Sequence, residues 1–65
     1  MIDQFAKAVC KKIRVDLNTL ADQLASGSAR TIEEYRETCG RIRGLAQAEE
    51  YILEMARKAE ESDSE

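Results

Sequence analysis

Hydrophobic residues in the first part of the chain recur every three or four positions, which is typical of one face of an amphipathic helix. This first stripe consists of Ile2, Phe5, Val9, Ile13, Leu17, Leu20 and Leu24. Asp3 is placed to cap the N-terminus, and Gly27 is placed to close the last turn in the left-handed conformation. The pattern therefore predicts a first helix over residues 3–26.

A second stripe begins after Thr31, and its start is marked by the sequence Thr31-Ile32-Glu33-Glu34. This is a capping box, in which the threonine hydroxyl and the Glu34 carboxylate each accept a hydrogen bond from the other residue's backbone N–H. The pattern predicts a second helix over residues 31–61, with a slow drift that suits gentle left-handed supercoiling. Its stripe consists of Ile32, Tyr35, Cys39, Ile42, Leu45, Ile52, Leu53, Ala56 and Ala59.

Between the two stripes lies the cluster of turn-forming residues Ser26-Gly27-Ser28-Ala29-Arg30, and the chain contains no proline. We therefore predict an all-α fold, an antiparallel two-helix hairpin with its turn at 27–30. The hairpin is expected to form one domain over 1–61, followed by an acidic flexible tail at 62–65.

A short turn also predicts which residues lie side by side, namely those whose numbers sum to about 57. In this register Leu24 packs on Ile32 and Tyr35, and Leu20 packs on Cys39. Leu17 then contacts Ile42, Val9 and Ile13 flank Leu45, and Phe5 reaches Ile52.

With 65 residues, two helices provide only a thin core, and small natural proteins add disulfides, a metal or self-association. The chain has no histidine, and Cys10 and Cys39 have no zinc-ligand spacing. The predicted register separates the cysteines by roughly 12 Å along the axis, beyond the ~7 Å limit for a disulfide, so both are expected to be small buried hydrophobes. Self-association or binding to a partner is therefore the expected way in which the thin core is completed.

The charge pattern disfavours nucleic acid as a partner. The formal charge is −3, and acids are interleaved among the basic residues. These basic residues could meet phosphates, but a solvated charged surface is the favoured interpretation. The chain shows no signal-peptide pattern and no apolar run long enough to span a membrane, so we expect a protein of the cytoplasm with no membrane partner.

Glu49 falls inside the apolar stripe of the second helix, where an unpaired carboxylate would be costly. Lys12 lies near its level and is the expected partner, which favours a pairing or register-setting role over catalysis. With no histidine and no glycine-rich phosphate loop, we expect no catalytic residue, no cofactor and no enzyme activity.

The sharpest candidate for a binding surface is a face of the second helix with glycines four residues apart. We predict that it forms a second interface, for oligomerisation or for a partner, because small residues allow close helix approach and an aromatic residue and a methionine then pack on the neighbour. Its residues are Gly40, Gly44, Ala48, Tyr51 and Met55. The alternative is that the glycines thin the helix where the hairpin itself crosses.

The segment from Leu24 to Leu45, LASGSARTIEEYRETCGRIRGL, resembles small helical-hairpin proteins of tailed-bacteriophage genomes, which share the ASG break and the EYR and CGxIRGL patterns. The resemblance covers about a third of the chain. It implies a structural or assembly protein, in the virion or the host cytoplasm, that binds in several copies to itself or to a larger virion protein. The alternatives are a regulator that inhibits a host enzyme or defence complex and, less favoured, a DNA-associated regulator.

Overall fold

The computed structural model, which describes residues 4–63, confirms the all-α hairpin. Helix α1 spans Gln4–Ala25 and helix α2 spans Ile32–Asp63, and the two pack antiparallel in a rod of 52 × 17 × 13 Å. Neither Asp3, the expected cap, nor residues 64 and 65 lie within the described part. Helix α2 continues to Asp63, so its last turn includes the first two residues of the segment predicted as a tail.

The turn that ends α1 is built around a left-handed glycine. Gly27 has a φ of 81°, and its N–H donates to the carbonyl of Leu24 at 3.1 Å, while the N–H of Ser28 donates to the carbonyl of Gln23 at 3.1 Å. These two bonds form a Schellman motif, which satisfies carbonyls that the helix end would otherwise leave unpaired. The predicted role of Gly27 is confirmed.

The start of α2 carries half of the predicted capping box. The Thr31 hydroxyl accepts the N–H of Glu34 at 3.1 Å, as expected. The Glu34 carboxylate, however, accepts from the N–H of Arg30 at 2.7 Å, one residue before the predicted donor. The carboxylate therefore ties the end of the loop to the first turn of α2, where it also lies at the positive end of the helix dipole.

The two helices meet along a narrow seam in which positions alternate at spacings of four and three, as in left-handed helix pairs. Only Ile13 and Leu20, at 8% and 7% exposure, are buried hydrophobic residues in the described part, and the other seam residues are half-buried. The seam of α1 is Ala6, Cys10, Ile13, Leu17, Leu20 and Leu24, and that of α2 is Thr38, Ile42, Leu45, Glu49, Ile52 and Ala56.

The predicted register is wrong by about five residues. Leu24 shares a surface groove with Thr38, and Ala6 shares one with Ala56, so level residues have numbers that sum to about 62 rather than 57. The reason is that α2 begins before it comes level with α1: its start at Ile32 lies about five residues ahead of the position level with Ala25, so its first turn projects beyond the end of α1. Ile32 and Tyr35, expected against Leu24, are therefore exposed.

Phe5, at the other end of the hairpin, also differs from the prediction, because its helical phase places it beside the seam and not in it. It was expected against Ile52, but its side chain is 78% exposed. Ala6, its neighbour, lies beside Ile52 and Ala56 instead. Leu53, also predicted in the stripe of α2, is exposed.

Candidate functional site

The predicted binding surface lies on the side of α2, away from the centre of the seam. Its five residues, Gly40, Gly44, Ala48, Tyr51 and Met55, are separated by four, four, three and four positions. At 100° per residue these positions form one stripe, about a third of a turn from the seam. We call this stripe the glycine flank. No observation on the described residues tests its role in binding, so the interface stays a prediction.

The half of the glycine flank that consists of small residues, here called its small half, is open to solvent. Gly40 and Gly44 are exposed, and no heavy atom lies within 4 Å of the position that a Cβ would occupy on either residue. The glycines therefore do not create space for α1, as the alternative interpretation required. Since each is unfavourable by up to about 1 kcal/mol relative to alanine in a helix interior, the fold of the single chain gives no reason for them.

The half of the glycine flank that consists of large side chains, here called its large half, is apolar and exposed. Tyr51 and Met55 are 59% and 65% exposed, and both line a shallow recess of about 370 Å³ together with Ile52, Ala56 and Ala59. Ala6 of α1 contributes to the same recess. Ala48, between the two halves, is half-buried and joins the flank to the seam.

Helix α1 contributes polar residues beside the small half. Gly44 lines a groove of about 560 Å³ together with Arg41 and Leu45 of α2 and with Asp16, Thr19, Leu20 and Gln23 of α1. A neighbour docked on Gly44 would thus contact an apolar floor at Leu20 and Leu45. Around this floor, Asp16, Arg41 and the two uncharged side chains offer hydrogen bonds and both signs of charge.

Phe5 is a candidate contact residue that the sequence reasoning missed. It lies three helical turns before Asp16, on the same side of α1, and therefore on the side of the hairpin that carries the glycine flank. In the observed register, Phe5 lies at a height along the helix axis between those of Met55 and Ala59. The signal that could have found it is the helical phase, which Phe5 shares with Asp16 more closely than with Ile13.

Glu49 has a partner in α1, but not the predicted one. Its carboxylate accepts a hydrogen bond at 2.6 Å from the guanidinium of Arg14, and its side chain is 16% exposed against 60% for Arg14. In the observed register Glu49 is level with Ile13, so Lys12 and Arg14 are equally near along the axis. Helical phase decides between them, because at 100° per residue these two side chains project from opposite sides of α1. A charge-assisted bond at a half-buried seam position favours one register of the two helices.

Cys10 and Cys39 are free thiols and are half-buried, so both are more exposed than the buried positions that the sequence predicted. In the observed register Cys10 is level with Ile52, so Cys39 lies roughly 20 Å away along the axis. Within residues 4–63, no three acidic, cysteine or histidine side chains converge as metal ligands would. Neither described helix is both apolar and long enough to cross a bilayer.

No protein-family model matches the chain, and neither the curated proteins nor the solved structures include one similar to it. The glycine flank is thus interpreted from its own geometry.

Proposed function

We propose that the chain is a non-enzymatic structural or assembly protein of a bacteriophage, which binds in several copies to itself or to a larger virion protein. The contact surface in this proposal is the glycine flank. The phage assignment is supported by the resemblance of the segment from Leu24 to Leu45 to small phage hairpin proteins. The binding mode is supported by the exposure and shape of the flank.

The observation that carries the binding mode is the combination of open glycines with exposed large apolar side chains on one stripe. Exposed apolar groups that are contiguous usually mark an interaction surface, whereas scattered ones need no explanation. Tyr51 and Met55 lie within one helical turn of each other, and Gly44 lies two turns before Tyr51. The flank therefore offers both a close approach for a neighbouring backbone and two side chains that bury large area.

The proposed mechanism is passive docking. A neighbouring helix approaches α2 at Gly40 and Gly44, where no side chain holds it away, and buries Tyr51 and Met55 further along. Tyrosine and methionine are both enriched at protein interfaces. The tyrosine hydroxyl stays at the rim, where it can hydrogen-bond to the neighbour or to water.

The test is mass spectrometry of purified particles of the phage that encodes the chain. We expect the chain in every particle at a fixed copy number, and we expect Gly44→Leu to reduce its incorporation at least tenfold. Ala46→Leu is the matched control, because it makes a similar enlargement on an exposed position of α2 outside the flank. Incorporation of Gly44→Leu at the wild-type level would refute the role of the flank.

The same experiment separates the alternative function. A regulator that inhibits a host enzyme or defence complex would be absent from particles and would co-purify with one host assembly. Absence from particles would therefore overturn the structural assignment in favour of this second class.

A further inference from the structure

We propose that the occupant of the glycine flank is a second copy of this chain, with the two α2 helices antiparallel and Gly44 of each copy packed against Tyr51 of the other. This inference rests on the proposed function for its choice of surface. It goes further by naming the occupant and the register of the contact.

The shape of the flank fits a two-fold axis. Along α2 the flank runs from small residues to large ones, so an antiparallel copy brings the small half of each chain onto the large half of the other. If the axis passes between Gln47 and Ala48, Gly40 faces Met55 of the second copy and Gly44 faces Tyr51 of the second copy. Each large side chain then enters the space that a glycine leaves open.

Charges at the edges of the flank agree with the same axis. In this register Glu37 faces Lys58 of the second copy, and the two side chains are opposite in sign. This pair occurs twice in a two-fold dimer. Within one chain, Lys58 lies 3.3 Å from Glu54, and both side chains are at least half exposed. The contact with Glu37 of the second copy would give Lys58 a second carboxylate as a partner.

Helical phase supports this register as well. At 100° per residue, the two members of each level pair lie at equal angles to either side of one line along α2, and this line runs along the glycine flank. Gly44 and Tyr51 lie about 10° from the line, and Gly40, Met55, Glu37 and Lys58 lie about 30° from it. Moving the second copy by one heptad also centres the contact on the flank, but it places Gly44 on Gly44 and Glu37 beside Tyr51. That second register loses the Glu37–Lys58 pair and leaves Met55 without a small residue opposite it.

The exposed area of the chain is large enough to supply an interface with a second copy. The chain exposes 5362 Å², whereas roughly 4,200 Å² is expected for a folded monomer of 7.3 kDa. The excess, on the order of 1,200 Å² per chain, is larger than the roughly 800 Å² that each partner of a standard specific interface buries. A second copy supplies such a surface without any further component.

The register is tested by cross-linking in a background of Cys10→Ala and Cys39→Ala, with circular dichroism to verify that each chain is helical. One chain carries Gly44→Cys and the other carries Tyr51→Cys. Each substitution alone places identical positions roughly 10 Å apart in the proposed dimer, beyond the ~7 Å disulfide limit, whereas the mixture places them in contact. Under mild oxidation we expect the mixture to form disulfide-linked dimer at least tenfold faster than either chain alone.

Three results would overturn the inference. Cross-linking of Gly44→Cys alone as fast as the mixture would select the glycine-on-glycine register. Equal slow rates in all samples would exclude the proposed pairing. If helical chains without these substitutions also stay monomeric in light scattering, no second copy occupies the flank. The proposed function would nevertheless stand if the chain were found in particles and lost from them with Gly44→Leu, so the two failures are distinguishable.

Discussion

The seam and the glycine flank lie on the same helix, but they divide its apolar residues in different ways. The seam alternates spacings of four and three and places Ile42 and Leu45 against α1, where they are half-buried. The glycine flank carries its smallest and its largest residues at opposite ends and leaves Gly44, Tyr51 and Met55 exposed. The difference teaches that folding of the single chain uses only one stripe of α2. A second stripe is available for a neighbour.

The largest expected effect breaks the seam. Ile13→Ala removes one of the buried side chains of the described core, and such a truncation costs about 2–4 kcal/mol. We expect the free energy of unfolding to fall by this amount, or the chain to be unfolded at 25 °C, in urea denaturation followed by circular dichroism at fixed protein concentration. Val15→Ala, at an exposed position on the far side of α1, is the control and should change it by less than about 0.5 kcal/mol.

The next effect concerns the turn. Gly27→Ala places a Cβ at a φ of 81°, a left-handed conformation that costs an L-residue about 1–2 kcal/mol. We expect a destabilisation of this size in the same denaturation experiment. A neutral result would mean that the Schellman turn is not needed to hold the hairpin together.

The same substitution on the glycine flank should have the opposite sign. Gly44→Ala adds a Cβ with no heavy atom within 4 Å, so it gains helix propensity without a clash. We expect the isolated hairpin to become more stable by up to about 1 kcal/mol, measured at a concentration low enough to avoid association. Destabilisation would show that the fold of the single chain needs this glycine, which would remove the contrast between seam and flank.

The smallest effect tests the ion pair at the edge of the seam. Arg14→Gln leaves the half-buried carboxylate of Glu49 without its charged partner, and because Arg14 is largely exposed we expect a loss of about 0.5 kcal/mol that decreases with added salt. Lys12→Gln is the matched control, since Lys12 was the partner that the sequence suggested. An equal loss for both substitutions would indicate a general charge effect instead of a specific pair.

The sequence predicted the local structure well because local structure depends on residues close together in the chain. Gly27 and Thr31 mark the ends of the two helices by their own conformational preferences and hydrogen bonds. The register depends on how far the loop carries the chain before α2 meets α1, and a pattern of apolar residues permits more than one answer. An error of about five residues placed Ile32 and Tyr35 against Leu24, whereas both are exposed.

The members of the glycine flank could be chosen from the sequence because spacing alone places them on one stripe. Their exposure could not, since it depends on where α1 lies. In the hairpin, α1 packs elsewhere on α2 and leaves open space at Gly40 and Gly44. The side of α1 that carries Phe5 could have been read from its helical phase, which is close to that of Asp16, but the level of Phe5 near Met55 follows only from the observed register.

The central claim is that the glycine flank, and not the seam, joins two copies of the chain. Sedimentation equilibrium tests it most directly when wild type, Gly44→Leu and Ala46→Leu are compared over about 1–100 µM, a range that covers dissociation constants of the order expected for a small interface. We expect wild type and Ala46→Leu to shift together from monomer to dimer, and Gly44→Leu to dissociate at concentrations at least tenfold higher while remaining helical. A fully helical wild-type monomer throughout this range, or dimerisation unchanged by Gly44→Leu, would contradict the claim.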